Sequence, residues 1–581
     1  MRTGIEPHPL TSPETCQTWL ADLPASDPTT AIEAIAATLD DIPGRGSMAA
    51  LRVLETLRQP VLQILDLLST RYADKPLPLT EGQRLALISS DTLTRALASA
   101  CHDCLTVCLT NTGEYARFAA LLHQRAMCWA VQSMIEHLRA RQRVPEGLWN
   151  IMQNTLEGAD RLKLASAPVR DALQPAGRSS VMATYVRALM MHQCGARSMA
   201  AREFEYARQL AHYFENKPAL TYSAADAVAA SPPGAESDTA RLKTFRVGRL
   251  QHTLEVAALA HSLGGRLSEL NRGTMFDTPA LVPAPAPQSL KVLLGKLYGA
   301  WCARANQRRF PRRRRTETVY CAFDPDLIYA LMKRRRYNPP PAPKLYSHQE
   351  VANIYLAQGD VAFREQSHTP ETWQHALTLL DHWRMLEESA TGMSMVRQSG
   401  QARVRRGQLA AIRLGEQGTA LVGEVRWAEQ TGPGMHNLEI GLEMLPGLAR
   451  AGAARYSDAK MINQSTGKSP SAAALILDNF SRTRGAREAR SSDTTGVGGY
   501  NTADVALPEI DADLLDQPPS PAPAVRRRSY TERATIVLPV GWAREGAMIE
   551  FIDGPASLRL RLGAVTGRHG DFERMVFDVV T

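Results

Sequence analysis

The chain is poor in cysteine, with eight in 581 residues, which excludes a small scaffold held by disulfides. Three of the eight fall in CHDCLTVC. Cys101, Cys104 and Cys108 are spaced by three and four residues and share one helix face. No second ligand pair follows at matching spacing, so the cluster predicts buried thiols in a reducing compartment and not a zinc site. Long apolar runs are missing as well. No stretch approaches the ~20 residues that a membrane-spanning helix needs. The first residues, MRTGIEPHPL, lack the apolar centre of a signal peptide. The expectation is a cytoplasmic protein with no membrane span.

Catalytic signatures are equally scarce. STGKS at 465–469 resembles the end of a phosphate loop, but the glycine required five residues before Gly467 is replaced by Ile462. There is no nucleophile elbow, no zinc-protease helix and no dinucleotide-binding glycine fingerprint. His102, His192 and His382 are scattered and read as surface or core residues. These absences predict no enzyme, no catalytic residue, no metal and no cofactor.

What is present describes a multidomain α plus β protein. A chain of 581 residues is too long for one core, and three or four structural units are expected. The formal charge of +8 is concentrated in runs at 308–315, 333–336 and 526–528, which points to anionic partners at particular places. Residues 10–300 read as a helical bundle. MAALRVLETLRQPVLQILDLLSTRY places Leu51, Leu54, Val61, Leu65 and Leu68 on one stripe, with Pro60 expected to kink or divide the helix. The next helical stretch has a polar break near Asp91, and a further pair of helices separates near Gly195. Helix pairs of this kind occur in repeat arrays, but no fixed period is found.

The period then changes. TETVYCAF (316–323) reads as a strand and DPDLIYALMKRRR as a short helix. From Trp383 onward QLAAIRL, ALVGEVRW and LEIGLEML have strand length, and Leu438, Ile440, Leu442 and Met444 alternate with Glu439 and Glu443. A small antiparallel barrel over 305–450 is expected, with a helical insertion at about 324–382. Residues 452–525 are rich in Ser, Thr, Gly, Ala and Pro and read as a mostly disordered linker, with PSAAALILDNF as a short helix. Residues 526–581 return to strands, as a second small barrel or as the completion of the first.

Two short segments carry the chemistry. QRRFPRRRRTETVYC (307–321) concentrates arginines just before a strand, and EESATG (387–392) is a turn beginning Glu387, with Ser389 and Gly392. An arginine fork hydrogen-bonds the O6/N7 edge of guanine, each good pair discriminating by about 1–3 kcal/mol. Arginine also pairs with phosphate and stacks on bases. A serine hydroxyl and a glycine-permitted turn approach phosphate oxygens closely. Together these groups suit a guanine-containing phosphodiester.

At these residues the chain resembles the PilZ family, small β-barrels that serve as bacterial receptors for cyclic di-GMP. The family pattern is RxxxR entering the first strand and [D/N]xSxxG at a later turn. RRFPRR supplies two registers, Arg308 with Arg312 and Arg309 with Arg313. In the first, Pro311 directly precedes the second arginine, an arrangement common in the family. EESATG supplies Glu387, Ser389 and Gly392, with Glu387 where the family usually has Asp or Asn. GEVRW and LEIGLEML are similar to the family's later strands. The resemblance implies a cyclic di-GMP effector that couples ligand binding to rearrangement between helical region and barrel, with a protein partner engaged through the helices. Two other readings stand beside it. One is a PilZ scaffold acting as a protein–protein adaptor without nucleotide. The other is a nonspecific nucleic-acid binder through the basic runs, disfavoured by the scarcity of aromatics around them beyond Phe310 and Tyr320.

Overall fold

The computed structural model describes residues 8–24, 27–111, 113–174, 177–224, 242–273, 281–303, 311–340, 378, 380–415, 418–456, 471–478 and 534–580. They divide into two compact units. The first holds the described residues up to 303 together with 429–436, and the second holds the rest.

Helices dominate the first unit: α1 (Pro13–Asp22), α2 (Pro28–Asp40), α3 (Met48–Ser69), α4 (Glu81–Thr110), α5 (Ala119–Arg139), α6 (Glu146–Arg161), α7 (Val181–Gln193), α8 (Ala201–Phe214), α9 (Ala257–Asn271) and α10 (Pro287–Trp301). The start of α3 is fixed by Ser47, whose side chain accepts the Ala50 N–H at 3.2 Å. Its stripe of Leu51, Leu54, Val61, Leu65 and Leu68 is buried as expected. Pro60 does not divide the helix. Leu57 and Val61, both fully buried beside it, offset the hydrogen bond that proline removes.

The break expected near Asp91 is also absent, because α4 runs straight through it. Asp91 faces α5, where it accepts hydrogen bonds from Ser133 and, on its own helix, from Arg95 at 2.9 Å; His137 stands 3.4 Å away. Burial raises its pKa, but the nearby His137 and the hydrogen bond from Ser133 outweigh burial and hold it at about 2. Cys101, Cys104 and Cys108 are buried in the same region. Two apolar cores result, one under α1–α5 and one under α5–α10. Between them run buried ion networks, such as Arg139 with Glu136 (3.0 Å), Glu205 (2.8 Å) and Asp66 (2.9 Å).

The all-helical expectation for 10–300 needs correction. Two short strands, β1 (Val169–Arg170) and β2 (Arg178–Ser179), form a small ladder, and β3 (Ala219–Ala224), β4 (Leu242–Val247) and β5 (Leu250–Glu255) form a sheet ordered β3–β5–β4. The β4–β5 turn uses Gly248 at φ +56°. Gln153 of α6 donates to the Val247 carbonyl at 2.7 Å, and Tyr185 of α7 meets the buried His252 of β5 at 2.8 Å. Tertiary contacts with helices therefore select strand for a segment whose own pattern is short.

The second unit contains two barrels. The first is built from β6 (Arg313–Arg314), β7 (Thr318–Ala322), β8 (Asp381–Ser389), β9 (Gly392–Ser399), β10 (Leu409–Leu414), β11 (Ala420–Thr431) and β12 (Asn437–Met444). The ring runs β8–β7–β10–β11–β12–β9 and closes through β8–β9, with β6 extending the pairing along β8. Trp383, Met395, Val425 and Ile440 fill it, all fully buried. As the alternation predicts, Leu438, Ile440 and Leu442 point inward while Glu443 is exposed.

The second barrel is β13 (Leu448–Tyr456), β14 (Ser471–Asp478), β15 (Thr535–Pro539), β16 (Met548–Asp553), β17 (Ala556–Arg568) and β18 (Phe572–Val580), closed in the order β13–β14–β15–β18–β17–β16. It combines the C-terminal strands with two strands lying wholly or partly in the stretch read as linker. SAAALILD is strand β14 and not a helix. It is flanked by β13 and β15 and buried on both faces, and a short run of that kind carries no period to distinguish it from a buried helix. Residues 457–470 and 479–525 of the expected linker, 526–533 of the expected C-terminal β unit, and 341–377 of the expected insertion lie outside the described residues. The helix α11 (Pro325–Lys333) follows β7 and packs on β7 and β10 of one barrel and β13 and β14 of the other, through Ile328 and Leu331.

Candidate ligand-binding site

The arginine run and the Ser-x-x-Gly turn, far apart in sequence, meet on adjacent strands. β6 pairs antiparallel with the end of β8, setting Arg313 opposite Glu388 and Arg314 opposite Glu387. Cross-strand neighbours share a face and successive residues alternate. One face therefore carries Arg312, Arg314, Glu387 and Ser389, and the other carries Arg313, Arg315 and Glu388. The contacts follow this division. Arg312 Nη1 donates to Glu387 Oε2 at 2.6 Å, and Arg315 Nε donates to Glu388 Oε2 at 2.8 Å. Glu388 on one side, with Glu317 beyond it, raises the Arg315 pKa.

The turn is built by its own residues. Ser389 and Gly392 are the closing pair of the β8–β9 hairpin. Ser389 Oγ donates to the Gly392 carbonyl at 3.0 Å, and the Thr391 carbonyl accepts the Met444 N–H at 2.9 Å, which ties the turn to the end of β12. Glycine is required at 392, because a Cβ there collides with the Leu442 carbonyl of β12. The same holds at Gly441, where the Trp427 indole of β11 lies over the backbone, and at Gly423, where the Glu443 carbonyl stands 2.8 Å from any added Cβ. Three close approaches thus hold β9, β11 and β12 around the turn.

Of the residues expected at the site, Arg312, Arg313, Glu387, Ser389 and Gly392 are brought to one end of this barrel. Arg313 shares the face of Glu388 and not that of Glu387. Arg308 and Arg309 lie outside the described residues. The sequence reading passed over Arg314, Arg315 and Glu388. Their signal was the unbroken arginine run facing two consecutive glutamates, which in paired strands puts a carboxylate among guanidinium groups on each face. The basic run at 333–336 engages other groups: Lys333 pairs with Asp553 of β16 at 2.5 Å, and Arg335 donates to the Tyr329 hydroxyl at 3.2 Å. His382 packs edge-on against Tyr320. Among the described residues no group of three or more His, Cys, Asp or Glu is placed to hold a metal ion, and no helix is long and apolar enough to cross a membrane.

The first unit has a cleft of its own, about 470 Å³, between α3, α5, α8 and the segment at Val282–Pro283. Its lining mixes Arg139, Arg141 and Arg208 with Asp66, Asp74 and Glu205. These six are paired with each other, so the lining mixes both charges. No sequence motif marked it, since its walls come from four distant segments.

Residues 14–225 match a family model described as "Cyclic-di-GMP receptor FimW, N-terminal domain". The matched stretch runs from α1 to the last residues of the 177–224 segment and stops short of both barrels. The match supports a relationship to cyclic di-GMP receptors. A search of curated proteins finds no match.

Proposed function

We propose that this protein is a cyclic di-GMP effector of the PilZ type whose ligand is held at the end of the first barrel where β6 meets the β8–β9 turn. Arg312, with Arg308 completing the RxxxR spacing, takes guanine and phosphate groups, while Glu387, Ser389 and the Gly392 turn close the other side. The observation that carries the reading is the β6–β8 register together with the contact of Arg312, the residue just before β6, with Glu387, which brings the arginine run beside the strand end that leads into the Ser-x-x-Gly turn. The similarity of residues 14–225 to a receptor's N-terminal domain supports the same ligand from an independent part of the chain. Placement of Arg312 on the Glu387 face favours the Arg308–Arg312 register over Arg309–Arg313.

The arginine segment is the covalent link from the helices to the barrel. Ligand binding there is coupled to rearrangement between helical unit and barrel, a hinge-type switch through which the helical unit presents or hides a surface for a protein partner in the cytoplasm. The test is a calorimetric titration of the full chain with cyclic di-GMP, with GMP as the control. Saturable heat with the cyclic dinucleotide and none with GMP is the expected result. One observation favours a second reading, the adaptor without nucleotide: Arg312 already has a carboxylate partner. Absence of heat in the titration selects it. A nonspecific nucleic-acid binder instead shows affinity that falls steeply with salt and no preference for the dinucleotide.

A further inference from the structure

The guanidinium groups beside the turn are engaged by carboxylates of their own barrel. Arg312 and Glu387 meet at 2.6 Å with both side chains about 40 % exposed, at 40 % and 38 %. Arg315 and Glu388 meet at 2.8 Å on the opposite face. We propose that Glu387 is a built-in competitor for the ligand. Its carboxylate holds on Arg312 the place that an anionic phosphate oxygen takes, so binding exchanges one anion for another. The inference rests on the receptor reading above and concerns how that site is set.

Three observations carry it. A guanidinium offers carboxylate and phosphate the same pair of N–H edges, so one edge cannot serve both at once. Glu387 shares its face with Arg312, Arg314 and Ser389, so its carboxylate stands among the groups proposed to contact the ligand. Glu388 faces the other way and is bonded to Arg315, which makes it an internal control of the same charge on the neighbouring residue. Side-chain length matters as well: the extra methylene of Glu over Asp carries the carboxylate outward, toward Arg312 across the strand pair.

Magnitude decides what such a contact does. An ion pair this exposed is worth up to about fivefold in an equilibrium. It therefore raises the ligand concentration at which the site fills and does not block the site. Any acceptor role of Glu387 toward the guanine N–H edge is one that a glutamine carbonyl retains, so Glu387→Gln removes the charge that competes and keeps an acceptor.

The experiment is calorimetric titration of the full chain with cyclic di-GMP at one fixed ionic strength, comparing wild type, Glu387→Gln and Glu388→Gln, each checked for its thermal transition. Competition predicts that Glu387→Gln binds about fivefold more tightly, with Glu388→Gln within about twofold of wild type. Equal or weaker binding by Glu387→Gln, with wild type binding, overturns it and leaves the receptor reading in place. Absence of binding in both wild type and Glu387→Gln removes the receptor reading, and the competitor with it.

Discussion

Gly392 of β9 lies against the Leu442 carbonyl of β12, closer than a Cβ carbon can stand. The two strands pair with Gly392 opposite Glu443 and Leu442 opposite Met393, so the glycine belongs to the barrel wall as well as to the turn. Gly392→Ala must push β12 away or distort the turn. The expected loss is about 1–3 kcal/mol of stability, as for overpacking, with weaker cyclic di-GMP binding. Urea unfolding followed by tryptophan fluorescence measures the first and calorimetry the second. A variant with wild-type stability contradicts the close approach.

Ser389 offers a gentler change at the same turn. Its hydroxyl donates to the Gly392 carbonyl at 3.0 Å and is half-buried. Ser389→Ala removes one ordinary hydrogen bond, a loss of about 1 kcal/mol, while the hairpin register stays. If the hydroxyl also meets a phosphate oxygen, affinity for cyclic di-GMP drops by more than stability does. Parallel measurement of the two separates scaffold from contact.

Asp571 gives a pH dependence. It accepts the Leu409 N–H at 3.1 Å where the two barrels meet, and burial raises its pKa from 3.8 to about 6 despite Arg405 and His569 nearby. Its folded pKa is raised, so the neutral carboxyl stabilises the fold fully below about pH 4, and this contribution fades as pH rises through 6. Asp571→Asn keeps an acceptor for Leu409 and cannot ionise. Its melting temperature is expected to exceed that of wild type at pH 7.5 and to converge with it near pH 4. A lower melting temperature at pH 7.5 contradicts this.

Arg139 tests the first unit. It is 6 % exposed and bonded to Glu136, Glu205 and Asp66. Arg139→Ala leaves Glu136, which is fully buried, without its cation. Removing one partner of a buried pair costs about 3–5 kcal/mol. The helical signal in circular dichroism is expected to melt earlier in urea by a corresponding margin.

The sequence showed most clearly what has a clean period. LEIGLEML alternates and is β12, with Leu438, Ile440 and Leu442 inward. The Leu51–Leu68 stripe is the buried face of α3. Segments whose shape depends on partners were illegible. SAAALILD is apolar throughout its interior and becomes β14 because β13 and β15 flank it. LKTFRVGRLQHTLE becomes a hairpin against Gln153 and Tyr185 of distant helices. Asp91 looked like a helix break because its partners, Ser133 and His137, lie more than forty residues away. At the candidate site, residue types and order were readable. The pairing of Arg312 with Glu387 was not, because strand register is set by closure of the whole barrel.

The central claim is that arginines entering the first barrel and the turn on β8–β9 bind one cyclic dinucleotide. Its most direct test is calorimetric titration of the full chain with cyclic di-GMP, comparing wild type with Arg308→Ala/Arg312→Ala and checking each for an unchanged helical circular dichroism signal. The account predicts saturable binding by wild type and none by the folded double variant. Equal affinity in the two proteins would contradict it.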